Sequence, residues 1–230
     1  MIRQHVGLAA LTACSLFAQG ERPVAPGWTA PESAAYKASV DRKTRHAGHP
    51  SLLIESTGSD ASGFAVSQTI KADAWRGKRI RLTGYLKADE SQDGGAIWFR
   101  IDMPNGDYIL DGSLDYSVAD KSTRDAAGWT KSQTVAAIPA DALGISFGLR
   151  MKGRGRIWAS DFKWETVAAA VPTNTIERRG YKGKPGKDAA IAELQRKYAS
   201  AAAQPVNLVW SDKLAIRYEM GGRFLRRPHK

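Results

Sequence analysis

The chain has 230 residues, 43% of them hydrophobic, a single cysteine and a formal net charge of +11. That length and apolar content suit one large domain, or one domain with an extension, and a lone cysteine excludes an intrachain disulfide framework. The charge is uneven: residues 170–230 hold 13 Lys/Arg against 5 Asp/Glu, which points a basic tail toward anionic partners. Specific nucleic-acid recognition is disfavoured, because no basic motif is interleaved with aromatic residues.

In chain order, MIRQHVGLAALTACSLFAQG places Arg3 before an apolar run that is too short and Ala-rich to span a membrane. This fits an export signal. Leu11-Thr12-Ala13-Cys14 resembles the lipobox of bacterial lipoproteins, which implies lipidation of Cys14. The expectation is an exported protein, periplasmic or anchored at the cell envelope; a cytoplasmic protein with an apolar start is the alternative.

Pro23–Pro31 leads into the folded body, and Ala34–Val40 reads as a short edge strand. The polar run Asp41–Pro50 reads as a connection. Within it, His46 and His49 are expected to be exposed or hydrogen-bonded rather than zinc ligands. Ser51–Ser56 and Phe64–Ile70 read as strands, with Gln68 sharing the parity of the apolar Phe64, Val66 and Ile70. Residues 71–102 look like the centre of the domain, two alternating segments joined by a polar loop and read as a hairpin. Ile80, Leu82, Gly84 and Leu86 fall on one face, as do Ile97, Phe99 and Ile101. Arg81 and Tyr85, then Trp98, Arg100 and Asp102, fall on the other.

Pro104-Asn105-Gly106-Asp107 is a turn, Tyr108–Leu110 a brief return, and Asp111–Gly128 a polar loop. Trp129–Ile138, Ile145–Met151 and Arg156–Val167 complete the strands, with Gly148 leaving room beside Arg150 for an aromatic neighbour or a ligand. A basic Gly/Pro-rich linker, Thr173–Lys187, precedes a short helix capped by Asp188, with Ile191, Leu194 and Tyr198 on one side. The organisation is a leader and linker (1–25), an all-β sandwich (26–167) and a basic extension with a short helix (168–230).

The chemistry on the sheet face is an aromatic, a guanidinium and a carboxylate at alternate positions. Trp98, Arg100 and Asp102, joined by Arg81 and Tyr85 from the neighbouring strand and by Arg150, would bind a saccharide: rings pack on sugar C–H faces, and the charged groups bond to hydroxyls. The alternative is a structural cluster in which Trp98 packs under a loop and Arg100 pairs internally with Asp102. No phosphate loop or nucleophile elbow is present, and no carboxylate pair identifies a glycosidase. The reading is therefore of a non-catalytic module; a scaffold or module that binds an envelope protein is the rival, and a carbohydrate-active enzyme the less favoured one.

Gln68-Thr69-Ile70-Lys71-Ala72, Trp75–Gly84, Ile97–Asp102, Phe147-Gly148-Leu149 and Gly155-Arg156-Ile157-Trp158 together resemble a bacterial group of galactose-binding-like β-sandwich proteins, akin to carbohydrate-binding jelly rolls. Pro205-Val206-Asn207-Leu208 resembles a segment that follows the sandwich in that group, whereas Ile109-Leu110-Asp111-Gly112 departs from its Phe-Asp-Asn-Met. The resemblance implies a jelly-roll fold. It also implies a structural calcium, for which Asp161 best matches the acidic position near the final strand, with Asp41 a distant partner.

Overall fold

The computed structural model describes residues 21–58, 63–89, 94–111, 124–178, 180 and 186–206. Cys14 and the basic terminus Arg223–Lys230 lie outside them. The strands are β1 (Glu21–Ala25), β2 (Trp28–Pro31), β3 (Tyr36–His46), β4 (His49–Ser56), β5 (Phe64–Lys71) and β6 (Arg79–Ala88). They continue with β7 (Gly94–Asp102), β8 (Tyr108–Asp111), β9 (Thr130–Ala137), β10 (Gly144–Lys152), β11 (Arg156–Val167) and β12 (Thr175–Arg178). One helix, α1 (Lys187–Ala199), follows.

The strands form an antiparallel jelly-roll sandwich. A seven-stranded sheet runs β1-β2-β5-β10-β7-β8-β12 and a five-stranded sheet runs β3-β4-β11-β6-β9. Strict alternation produces this: in β5, Phe64, Val66, Gln68 and Ile70 are buried while their neighbours are half-exposed. The inward residues of both sheets make one core, with Trp28 against Phe147 and Phe162, and Phe147 edge-on to Trp164.

The segment read as a central hairpin is not one. β6 pairs with β11 and β9, whereas β7 pairs with β10 and β8. The two strands lie in different sheets and face each other across the core. A Cβ on Gly84 would sit 2.4 Å from Ile97 Cδ1, so Gly84 makes the space that Ile97 fills from the opposite sheet. Alternation specifies a buried face, and that face is buried equally well by a partner in front as by one alongside.

The polar run after Val40 also differs from a connection. β3 continues to His46 and β4 starts at His49, leaving only Ala47 and Gly48 between them, both at positive φ. Asp41 makes this possible by accepting the amides of Lys43 and Thr44 where the β3–β4 register breaks.

The chain beyond Val167 is built into the sandwich. β12 pairs with β8 at one edge. Helix α1 lies on the outer face of the seven-stranded sheet, burying Leu194 and Tyr198. Gly186, in the left-handed region, occupies the N-cap, and Asp188 falls in the first turn rather than at the cap. A Cβ on Gly144 would overlap the Tyr198 ring at 1.8 Å, so the bare glycine is the seat of the ring. After the helix, Ala202 accepts the amide of Lys71 at 2.8 Å. The buried Gln68 side chain grips Val206 in both directions, its amide donating to the carbonyl and its oxygen accepting the backbone N–H at 2.9 Å. That contact explains why a polar residue stands at an inward position of β5.

Candidate functional site

The six residues expected to share one binding face divide between two. Trp98, Arg100, Asp102 and Arg150 occupy the outer face of the seven-stranded sheet, in the rows Trp98–Gly148, Arg100–Ser146 and Asp102–Gly144. Arg81 and Tyr85 occupy the outer face of the five-stranded sheet, on the other side of the sandwich. The earlier placement fails for the same reason as the hairpin: β6 is not the neighbour of β7.

On the first face, α1 covers much of the polar chemistry. Asp102 is fully buried, accepting Arg100 Nε at 2.6 Å and the Tyr198 hydroxyl at 2.5 Å. With the Tyr198 hydroxyl donating to Asp102, Ser146 donates to Tyr198 at 3.2 Å and is left to accept from Thr69 at 3.1 Å. Burial, then the Asp102 charge and hydrogen bond, push the Tyr198 phenol well above its ordinary pKa. Burial pulls the neighbouring Lys197 down, against the Glu21 and Asp102 charges. Arg100 also lies over the Tyr108 ring at 4.2 Å. Trp98 is half-buried. Gly148 is needed for sheet geometry, since a Cβ there would meet the Val66 carbonyl at 2.0 Å.

The second face carries an open pocket of 480 Å³. Its floor is Thr83 and Tyr85 of β6, flanked by Lys131 of β9 and by Lys163 and Glu165 of β11. Its wall is the β3–β4 turn, with His46 and His49, together with Asp161. Asp161 accepts Nδ1 of both histidines, one on each carboxylate oxygen. Each imidazole that donates through Nδ1 is fixed in orientation and keeps Nε2 as an acceptor. His46 stacks on Tyr85 with ring centroids 3.8 Å apart, and Trp129 meets it edge-on at 5.3 Å. His49 is the outer member, its side chain 55% exposed.

A β-bulge puts Asp161 there. The β11–β6 register is Ser160↔Tyr85 on one side and Lys163↔Thr83 on the other, one residue out of step. Before the bulge the inward residues are Ile157 and Ala159; after it they are Phe162 and Trp164. Asp161 is the extra residue, held at φ 53, a left-handed conformation that aspartate tolerates better than most side chains. This switch of apolar parity is the signal in the sequence that would have found the site.

Asp41 and Asp161, the residues expected at a structural calcium, are each engaged by protein donors. Asp41 accepts Trp158 Nε1 at 2.8 Å besides the amides of its own turn, and Asp161 is held by the two histidines. Burial works to raise the Asp41 pKa, but the Lys43, Trp158 and Thr44 bonds outweigh it and hold the group low. Calcium takes six to eight oxygen ligands. Among the described residues no group of three or more His, Cys, Asp or Glu is arranged to hold a metal ion.

No family model matches the chain. A protein of Bacillus subtilis (strain 168), named as the uncharacterized HTH-type transcriptional regulator YbfP, is 29% identical over 147 residues. The match takes in 63% of this chain and 48% of the relative, so it spans about half the relative's length. Among solved structures, the CBM22-1 xylan-binding domain of Paenibacillus barcinonensis Xyn10C has a TM-score of 0.44 at 19% identity, covering 65% of this chain and 92% of that one. A putative sugar binding protein from Bacteroides thetaiotaomicron VPI-5482 has a TM-score of 0.45 at 13% identity, covering 66% and 97%. No helix among the described residues is long and apolar enough to cross a membrane.

Proposed function

We propose that this chain is a non-catalytic saccharide-binding β-sandwich, and that its site is the pocket on the outer face of the five-stranded sheet. The observation that carries the reading is the Asp161 carboxylate clamped between His46 and His49 at the pocket wall. It fixes two imidazoles beside an aromatic ring and three charged side chains, the mixture of ring and oriented polar groups that sugar hydroxyls require. Binding rather than catalysis fits the state of the carboxylates. Asp161 is engaged by the histidines, and Glu165 accepts Lys163 at 2.9 Å, which holds Glu165 below its ordinary pKa. A glycosidase needs one carboxyl group able to protonate the leaving oxygen.

A second reading, supported by the likeness to a Bacillus protein named as a transcriptional regulator, is that this sandwich is part of a regulator. Export and lipidation at Cys14 belong to the proposal through the sequence pattern, and intact-mass analysis of fractionated cells tests them: a soluble uncleaved product contradicts both. For the pocket, the full chain is screened on a glycan array and the hits are titrated by calorimetry. His49→Ala is expected to weaken binding about tenfold, equivalent to ~1.4 kcal/mol, with an unchanged melting temperature. Saturable binding unaffected by His49→Ala and by Tyr85→Ala would place the site elsewhere, and a blank array beside a reproducible protein partner would favour the interaction module.

A further inference from the structure

The hydrogen-bonding capacity left over in the pocket is lopsided. Asp161 is taken by the two histidines, and Glu165 by Lys163. The Lys131 side chain makes no hydrogen bond to any described residue, although it lies on the strand beside Tyr85 and its charge acts on Glu165. Lys163 spends one N–H on Glu165 and retains two. The two lysines flank β6 on neighbouring strands, with Thr83 and Tyr85 between them. Two strand spacings and a two-residue offset along the strands separate them by about 12 Å, a gap that two lysine side chains can close over one small group. What the floor offers a ligand is therefore mostly ammonium and hydroxyl donors, two of them cationic, beside carboxylates that are already engaged.

We infer that the ligand of this pocket is an acidic saccharide, a uronate whose carboxylate seats between Lys131 and Lys163. This deepens the saccharide reading and rests on it. A carboxylate accepts up to four hydrogen bonds and turns two like-charged ammonium groups at the pocket from a repulsive pair into a bridged one. The remaining ring hydroxyls fall to the Nε2 atoms of the oriented histidines, which accept. Lys131, whose side chain holds no hydrogen bond to any described residue, is the specificity-determining residue.

The test uses the full chain and a panel of uronate oligosaccharides, oligogalacturonate among them, each beside its carboxyl-reduced neutral form, titrated at two salt concentrations. The acidic form is expected to bind at least tenfold more tightly than its neutral counterpart, with the gap narrowing as salt rises. Lys131→Met is expected to close most of that gap while leaving the melting temperature unchanged, and Lys131→Arg to restore it. If the neutral forms bind as tightly, or if the gap survives Lys131→Met, the acidic-ligand inference is wrong while saccharide binding stands. If neither form of any member binds, the acidic-ligand inference is wrong, and a blank glycan array beside it would sink the saccharide reading as well.

Discussion

At the scale of single residues, Asp102 and Asp161 show how one side-chain type serves two ends. Asp102 has no exposure and is satisfied by Arg100 and Tyr198, so its charge ties the helix to the sheet. Asp161 remains at the surface and orients two rings toward a pocket. The Tyr198→Phe variant should lose about 1–3 kcal/mol, because it removes a donor from a buried carboxylate; a chemical denaturation midpoint measures this. The raised Tyr198 pKa adds a signed prediction. The folded state favours the neutral phenol, so the contribution is complete below the ordinary tyrosine pKa of about 10 and is lost as pH rises beyond it. Lys197 acts in the opposite sense, so the readout is the difference between wild type and Tyr198→Phe, which should shrink above pH 10. A difference that stays constant up to pH 12 would contradict the described bond.

At the scale of elements, the pairing of β6 with β7 across the core makes a prediction no hairpin would make. Gly84→Ala drives a methyl group into Ile97 Cδ1, at a cost of about 1–3 kcal/mol. Ile97→Val removes that atom, so the double variant should be more stable than the sum of the single changes allows. A double-mutant cycle on urea midpoints should give a coupling of at least ~0.5 kcal/mol. Independent effects would mean the two residues do not touch. Most strands were legible in the sequence because burial on one face writes a period of two, as in Phe64–Ile70 and Ile145–Met151. Their partners were not, since periodicity records which face is buried and is silent on what covers it. Helix α1 was legible from its apolar side. Its docking was not, because Tyr198 is held by Asp102, Ser146 and the space at Gly144, contacts far apart in sequence with no shared pattern.

At the scale of the molecule, the sandwich has two outer faces with different fates. The face with the more conspicuous residues, Trp98, Arg100 and Asp102, receives the helix, and the segment after it runs along the edge of β5 to Gln68's hold on Val206. The other remains open around Tyr85, which sequence reasoning had singled out, and around His46, His49, Thr83, Lys131, Lys163 and Glu165, which it had not placed in the site. The pair of histidines stood out by spacing, but the carboxylate that makes them a site lies 115 residues from His46, and only the bulge brings it there. On this reading, ligand binds the open face. Backbone amide shift mapping of the full chain with the saccharide identified by screening tests it most directly. Saturable shifts confined to residues 46–50, 83–85, 131 and 161–165 are expected. Shifts centred instead on residues 96–102 and 144–152 would contradict it.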